Sequence, residues 1–169
     1  MMRITGRVHR FGDHVNTDVI IPGRYLTLRT KAELGRHCME GLDPEFAGRA
    51  KPGDILVAGR NFGSGSSREH AILSLQGAGI AAVVVESAAR IFFRNAINLA
   101  LPVIVCAEAA RALQEGEEAT IEPVTGLIAQ AGRAWQAPPF QGEVAAILAS
   151  GGLVEYLRRS FSPPPILQD

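Results

Sequence analysis

The sequence predicts a single α/β domain with a core of parallel strands and an added β-hairpin. The chain has 169 residues, and a chain of that length buries roughly 70% of its unfolded surface in one core. Its middle third alternates apolar runs of strand length with helical patterns, an order typical of parallel strands joined by right-handed crossovers. Two strand patterns separated by a short Gly-containing turn follow and predict the hairpin.

The first third begins with a strand and ends with a helix. Residues 4–11 alternate as in a half-buried strand, and a loop rich in Asp and Asn follows at 12–18. An apolar run at 19–21 is stopped by a Pro-Gly pair. The apolar pattern over 31–42 then predicts a helix, and the Asp-Pro pair that follows marks its end.

The central elements are three apolar strands and the two helices between them: strands 55–58, 81–85 and 103–105, and helices 69–77 and 87–101. Continuous apolar runs such as 81–85 are typical of strands buried on both faces. Ser87 stands at the start of the second helix, and we expect its side chain to cap that helix.

The last third predicts a small antiparallel meander followed by helix. Residues 119–123 and 127–131 form the hairpin, and 133–135 extend it as a third strand. A helical pattern then covers 143–150 and 153–159, interrupted by two glycines. We therefore place the domain at 1–159. The remainder, 160–169, contains three consecutive prolines and is expected to be an extended or disordered tail.

Composition excludes several classes of protein. Lys plus Arg and Asp plus Glu each total 17, so the basic excess that nucleic-acid or anionic-membrane binding needs is missing. The apolar runs are far shorter than the roughly 20 residues of a membrane span, and the first residues do not resemble a secretory signal, so we expect a cytoplasmic protein. Cys38 and Cys106 are too few for an iron-sulfur cluster, which takes about four thiolates, and the histidines show no common metal-binding spacing.

Residues 59–70 are the most informative stretch, because they join a predicted strand to a predicted helix. Glycines there allow the backbone to approach a ligand, and the free N–H groups and dipole of the helix start attract anions. Ser66, Ser67 and Arg68 add two hydroxyls and a guanidinium that matches a carboxylate or a phosphate. One hydroxyl would lie in a field that favours loss of its proton. The stretch therefore predicts an anion site with a candidate group for proton abstraction.

Two other interpretations of this stretch stay open on the residues alone. Ser66 and Glu69 have the spacing of a capping box, which would only satisfy donors at the helix start and would suit a structural assembly subunit. The same loop also fits a stand-alone phosphate- or carboxylate-binding regulatory module. Nucleotide and hydrolase loops fit badly, since the Walker lysine, the third glycine of a dinucleotide loop and the Gly-x-Ser-x-Gly pattern are missing.

The stretch Gly-Ser-Gly-Ser-Ser-Arg-Glu at 63–69 resembles the signature loop of the swivelling domain of the aconitase superfamily. Further matches lie at 13–26, which includes Asn-Thr-Asp and Pro-Gly-Arg-Tyr-Leu, and at 89–98, which reads Ala-Arg-Ile-Phe-Phe-Arg-Asn-Ala-Ile-Asn. The resemblance covers 3–106 and is nearest to the short small subunits of 3-isopropylmalate dehydratase and homoaconitase. It implies a single swivelling β/β/α domain that pairs with a separate large subunit carrying a 4Fe-4S cluster.

The resemblance also implies roles for individual residues. In the family, an iron of the partner's cluster acts as a Lewis acid while this domain closes over the substrate. By motif position, Ser66 is the base that removes the carbon-bound proton, Ser67 is a supporting hydrogen-bond donor, and Arg68 binds a substrate carboxylate. The loop that presents these side chains is formed by the backbone of Gly63, Ser64 and Gly65.

Two residues outside the loop complete the expected site. Asp18 matches an active-site aspartate of the superfamily, whereas the local pattern alone favours a turn residue. Arg29 falls near the position of a second carboxylate-binding arginine once a one-residue gap is allowed, and its alternative is an ordinary solvated arginine. An arginine here suits the extra carboxylate of homoaconitate, whereas Leu26 and Leu28 suit an isopropyl group. Because Thr27 stands where homoaconitases often have arginine, the substrate stays open.

The function implied is that of a hydro-lyase small subunit in leucine or lysine biosynthesis. Such a chain would isomerise a 2-hydroxy acid by dehydration and rehydration, and it would be inactive without its iron-sulfur large subunit. Its other partner would be a small di- or tricarboxylic acid. We expect no cofactor on this chain itself, no nucleic-acid partner and no membrane partner.

Overall fold

The computed structural model describes residues 2–161, and a seven-stranded sheet runs through them. The strands are Ile4–Arg10 (β1), Ile55–Ala58 (β2), Ala82–Val85 (β3), Val103–Val105 (β4), Glu118–Glu122 (β5), Leu127–Gln130 (β6) and Arg133–Gln136 (β7). Their spatial order is β4-β3-β2-β1-β5-β6-β7. Each predicted strand is present with its ends shifted by at most one residue.

Strand β1 joins a parallel half of the sheet to an antiparallel half. On one side Val8 of β1 aligns with Ile55 of the parallel β2, and β3 and β4 continue in the same direction. On the other side β1 pairs antiparallel with β5, and β6 and β7 extend it as a meander. The predicted α/β fold with a parallel core and an added hairpin is therefore confirmed.

Helices connect the parallel strands and follow the meander. They are Thr17–Ile20 (α1), Lys31–Gly35 (α2), Phe46–Arg49 (α3), Glu69–Gly77 (α4), Arg90–Asn98 (α5), Ala107–Ala112 (α6), Gly142–Ser150 (α7) and Leu153–Ser160 (α8), with a 3-10 turn at Gly23–Tyr25. The short α1, α3 and α6 were not predicted, and α1 occupies part of the predicted loop and apolar run. Ser160 is the last residue of α8 rather than tail, and residues 162–169 of the predicted tail lie outside the described residues. Within residues 2–161, none of the helices has the length and apolar character to cross a bilayer.

Two of the helix predictions are wrong in detail. The helix predicted over 31–42 ends at Gly35. The backbone N–H of Met39 donates to the carbonyl of Ile20 (2.7 Å) instead of to a carbonyl within the helix, so the chain turns there. Ser87 does not cap α5. Its hydroxyl instead accepts a hydrogen bond from the backbone N–H of Asn61 (2.8 Å), and α5 begins at Arg90 without a side-chain cap.

The core has one layer on each face of the sheet. Consecutive side chains of a strand point to opposite faces, so Leu56 and Val83 pack with the helices α1–α5 whereas Ile55 and Val84 pack on the side of α6. All residues of β2 and β3 are buried, which agrees with their continuous apolar sequences. The rigid sheet fixes the loops that leave its carboxyl edge.

The loop after β2 is fastened to both neighbouring loops through its backbone. Gly63 donates to the carbonyl of Val15 (2.8 Å), and Phe62 donates to the carbonyl of Ser87 (3.0 Å). The ring of Phe62 also packs edge-on against Phe92 of α5, with 5.2 Å between centroids. These contacts hold the strand-to-helix connection between the loops that follow β1 and β3.

A buried hydrogen bond between a histidine and an aspartate lies at the opposite edge of the sheet. His9 of β1 is 2% exposed and its Nε2 lies 2.7 Å from Oδ2 of Asp54, which precedes β2. The carboxylate also accepts the backbone N–H groups of Arg7 and Lys51. Burial raises the pKa of Asp54. The hydrogen bonds from His9 and the two backbone groups lower this pKa by more than burial raises it, so the net pKa lies below its usual value.

We predict that Asp54→Asn lowers the free energy of unfolding by about 3 kcal/mol at pH 7, because it leaves buried donors without their carboxylate. The folded pKa of Asp54 is below the unfolded one. Its stabilisation is therefore complete above the unfolded pKa and is lost as pH falls through the folded pKa. Urea unfolding of both proteins between pH 7 and pH 3 checks this. Exposed Glu118→Gln is the control, and a variant difference that does not shrink toward acid pH would contradict the assignment.

We predict that Gly63→Ala destabilises the chain by about 3 kcal/mol, through strain and overpacking together. Gly63 has a φ of 76°, and a Cβ there would lie 2.1 Å from Cγ of Phe92. Gly116→Ala is the matched control, since Gly116 has a φ of 80° but open space around it, and it should cost only about 1 kcal/mol. Thermal unfolding measures both, and equal losses would show that the contact with Phe92 is unimportant.

Candidate active site

A pocket of about 240 Å³ opens at the carboxyl edge of the parallel strands. Ligand sites of open α/β sheets are found at this edge. The pocket lies between the loop that leads into α4, the start of α1 and the start of α5. Its lining residues are Thr17, Gly63, Gly65, Ser66, Ser67, Arg68, Ala89, Arg90, Ile91, Phe92 and Asn95. The predicted loop thus forms one wall of a real concavity.

The start of α4 does not carry the capping box that the sequence allowed. The residue before the helix is Arg68, and no side chain accepts a hydrogen bond from the first turn. Ser66 and Glu69 are both exposed, and Ser66 has no side-chain hydrogen bond within residues 2–161. The hydroxyl of Ser66 is therefore available at the positive end of a helix.

Arg68 meets Asp18 at the edge of the pocket. Nη1 of Arg68 lies 2.8 Å from Oδ1 of Asp18, but the contact lacks hydrogen-bond geometry and Nη1 is buried without a hydrogen-bond acceptor in the described chain. The Arg68 side chain is 21% exposed and that of Asp18 is 59% exposed. The guanidinium is thus held in place by an opposite charge at the pocket.

Asp18 is positioned by the first turn of α1. The side-chain Oδ1 of Asn16 accepts the backbone N–H groups of Asp18 (2.9 Å) and Val19 (3.1 Å). Thr17 fastens this turn to the loop, because its N–H donates to Ser64 (2.9 Å) and its hydroxyl donates to the carbonyl of Ser66 (3.0 Å). Asp18 is therefore both a residue of the first turn of α1 and a neighbour of Arg68 at the pocket.

Sequence reasoning assigned no role to two residues that contact the loop. Thr17 is 1% exposed and bonds it as described above. Asn95 of α5 donates from Nδ2 to Oγ of Ser67 at 3.0 Å. The matching stretch at 89–98 was the available signal for Asn95, but a single sequence does not show that α5 begins beside the start of α4.

Three predicted site residues do not line the pocket: Asp18, which contacts Arg68 at its edge, Ser64, and Arg29, which lies apart from the others. Arg29 is exposed, and its side chain makes no hydrogen bond or ion pair with any residue between 2 and 161, although its backbone hydrogen-bonds to the Glu33 carboxylate. The segment that leads to Arg29 nevertheless starts near the site. Gly23 lies beside Arg68, because a Cβ on Gly23 would be 3.8 Å from Nη1 of Arg68. Asp18, Ser66, Ser67 and Arg68 are brought together, whereas Arg29 is not.

The cysteines of this chain do not fit an iron-sulfur cluster. Cys38 packs with the α1–α5 side of the sheet and Cys106 with the opposite side. Burial raises the pKa of the Cys38 thiol to about 12, so it stays protonated and is a poor metal ligand. Among residues 2–161 there is also no cluster of three or more His, Cys, Asp or Glu side chains that could hold a metal ion.

Comparison with known proteins gives a consistent family. The aconitase C-terminal domain family matches residues 27–108. The 3-isopropylmalate dehydratase small subunit of Ruminiclostridium cellulolyticum is 45% identical over 163 residues, which are 95% of this chain and 100% of that relative. The 3-isopropylmalate dehydratase small subunit 1 of Methanopyrus kandleri is 49% identical over 158 residues, which are 92% and 93% of the two chains.

A solved structure has the same fold over nearly the whole chain. The crystal structure of a 3-isopropylmalate dehydratase from Methanocaldococcus jannaschii superposes with a TM-score of 0.89 at 43% identity, and the match covers 94% of this chain and 95% of that one. The predicted assignment to a subunit of an aconitase-related hydro-lyase is confirmed by these relatives. The chain belongs to the family of 3-isopropylmalate dehydratase small subunits.

Proposed function

We propose that this chain is the small subunit of a 3-isopropylmalate dehydratase, which serves leucine biosynthesis in the cytoplasm together with a cluster-bearing large subunit. The observation that carries the proposal is the convergence of Ser66, Ser67 and Arg68 on one pocket at the start of α4. The names of the relatives support the choice of substrate. Substrate isomerisation would proceed by loss of water and its return at the neighbouring carbon.

Arg68 binds one carboxylate of the substrate in this proposal. Its Nη1 is buried and lacks a hydrogen-bond acceptor within the described chain, although Asp18 lies 2.8 Å away. A substrate carboxylate in the pocket would accept charge-assisted hydrogen bonds from the guanidinium, which lines it. Asp18 then keeps the guanidinium in a fixed orientation, so that the carboxylate sets the position of the reacting carbon atoms.

Ser66 removes the carbon-bound proton. A serine hydroxyl is a weak base, whereas its alkoxide is a strong one. The start of α4 supplies partial positive charge that stabilises the alkoxide form of Ser66. Ser67 donates a hydrogen bond to the substrate, since its oxygen already accepts one from Asn95. The backbone of Gly63 and Gly65 lines the pocket wall, and the carbonyl of Ser64 between them accepts the N–H of Thr17, which holds the loop in place.

The iron-sulfur cluster belongs to the proposed partner. This chain lacks a fitting set of cysteines between residues 2 and 161, so no step assigned to it passes through the cluster. Ser66 and Ser67 are exposed at the pocket, which suits a site that a second subunit closes. We therefore expect the isolated chain to be inactive.

We predict that Ser66→Ala in the assembled complex lowers kcat by about 10²- to 10⁴-fold, the range that general-base groups contribute. Stability should change little, because Ser66 caps no helix. The measurement is anaerobic hydration of isopropylmaleate by this chain mixed with a cluster-bearing large subunit. Ser150→Ala, at the end of α7, is the matched control. Turnover by the chain alone, or full activity of Ser66→Ala, would contradict the proposed function and favour a binding or structural module.

We predict that the complex prefers isopropylmaleate to homoaconitate, and that Arg29→Leu lowers kcat/KM for homoaconitate about tenfold, or about 1.4 kcal/mol. Arg29 is the one cation of the segment 26–29, so it is the proposed contact for the extra carboxylate of the longer acid. Arg36→Leu, another exposed arginine nearby, is the control. A preference for homoaconitate would reassign the chain to lysine biosynthesis.

A further inference from the structure

A strained turn connects the candidate site to a second cluster of charges. Met39 is fully buried at a φ of 60°, a conformation that non-glycine residues rarely adopt. Its N–H donates to Ile20 (2.7 Å), and the N–H of Gly41 donates to Val19 (3.2 Å), so the turn is docked on the end of α1. Strain of this kind persists only where surrounding contacts fix it. The residue between these two contacts is Glu40.

The carboxylate of Glu40 accepts three hydrogen bonds. Oε1 accepts from the hydroxyl of Tyr25 (2.8 Å) and from Nη2 of Arg24, and Oε2 accepts from Nδ1 of His37 (2.7 Å). The His37 ring stacks on the Tyr25 ring at 3.7 Å and 11°, and the Arg24 guanidinium lies 4.7 Å from the same ring centroid. We call these four residues the Glu40 cluster.

The Glu40 cluster keeps its central carboxylate ionised. Burial raises the pKa of Glu40. Hydrogen bonds from His37, Tyr25 and Arg24 lower this pKa by more than burial raises it, so the net pKa lies below its usual value. The Glu40 side chain is 24% exposed. Tyr25 is thus held at its hydroxyl by Glu40 and on its ring by His37 and Arg24.

The position of Tyr25 fixes the segment 26–29. The N–H of Leu28 donates to the carbonyl of Tyr25 (3.0 Å), and that of Leu26 donates to Gly23 (3.2 Å). Gly23 in turn lies beside Arg68, the candidate carboxylate-binding residue. A shift of Tyr25 would therefore displace the leucines and Arg29 relative to the pocket.

We propose that Glu40 is a positioning residue, which holds Tyr25 and thereby fixes the segment 26–29 relative to Arg68 and selects the acid that the site accepts. Glu40 acts through Tyr25 and the backbone, and it touches no substrate. The inference rests on the proposed function for its substrate, whereas the anchoring itself is a property of the chain. Two measurements on the same variants separate these parts.

Limited trypsin digestion of the native full-length chain tests the anchoring. Trypsin cleaves after Arg29, and mass spectrometry follows that cut. Glu40→Gln, which keeps the size of the side chain and removes its charge, should accelerate the cut by about fivefold or more, since local opening controls proteolysis. Tyr25→Phe keeps the ring and removes one hydrogen bond, so it should accelerate the cut less. Wild-type rates in both variants would overturn the anchoring.

Asp43→Asn is the matched control. Asp43 lies on the same turn, its side chain is 30% exposed, and it pairs with Arg49 of α3 rather than with the Glu40 cluster. Its loss should leave cleavage after Arg29 at the wild-type rate. Acceleration equal to that of Glu40→Gln would overturn the proposal, because loosening of the whole turn would then explain the result.

Kinetics of the complex test the positioning. For Glu40→Gln we expect KM for isopropylmaleate to rise about tenfold, kcat to stay within about threefold, and discrimination against homoaconitate to weaken. Tyr25→Phe should show the same changes to a smaller extent, and it keeps the test valid if Glu40→Gln folds poorly. Unchanged KM and selectivity, or a fall in kcat alone, would overturn the positioning role. An inactive wild-type complex would instead remove the proposed function, and digestion would still decide the anchoring.

Discussion

Gly63 lies with its α-carbon against the Phe92 ring, and its backbone N–H bonds to the loop that follows β1. This close approach requires a residue without a Cβ and with access to positive φ. Phe62 completes the attachment through Ser87 and Phe92. Three loops from adjacent parallel strands are thereby joined at one edge of the sheet, and the position of every side chain in the candidate site depends on that junction.

The electrostatics of the site follow from this junction. With the loop held, α4 starts at the pocket and presents its uncapped first turn to it. Arg68 adds a full positive charge at the same place, and Asp18 compensates part of it from α1. A site with a guanidinium, a helix start and an unbonded hydroxyl favours a small carboxylate, because each of these groups stabilises negative charge. The chemistry of the relatives is consistent with such a ligand.

The segment between α1 and α2 is built differently from the loop. The loop is held by backbone hydrogen bonds to its neighbours. Tyr25, from which the segment 26–29 continues, is held by the side chains of Glu40 and His37, and Leu26 and Leu28 pack against the core. Side-chain attachments can change by single substitutions without disturbing the sheet.

The sequence by itself determined the strands, the main crossovers and the identity of the loop. Continuous apolar runs such as 82–85, bounded by turn residues, are typical of strands buried inside a sheet, and a glycine-rich connection with serines and an arginine before a helix favours an anion site. Tertiary structure alone decided the rest. Helix α2 ends at Gly35 because the backbone of Met39 bonds to α1, and Ser87 bonds to Asn61 instead of capping α5. Asn95 reaches Ser67, and Glu40 reaches Tyr25, only after distant elements have packed together. Sequence patterns reflect interactions between residues that are close along the chain. These contacts instead join distant segments, and the packing of the whole sheet brings those segments together.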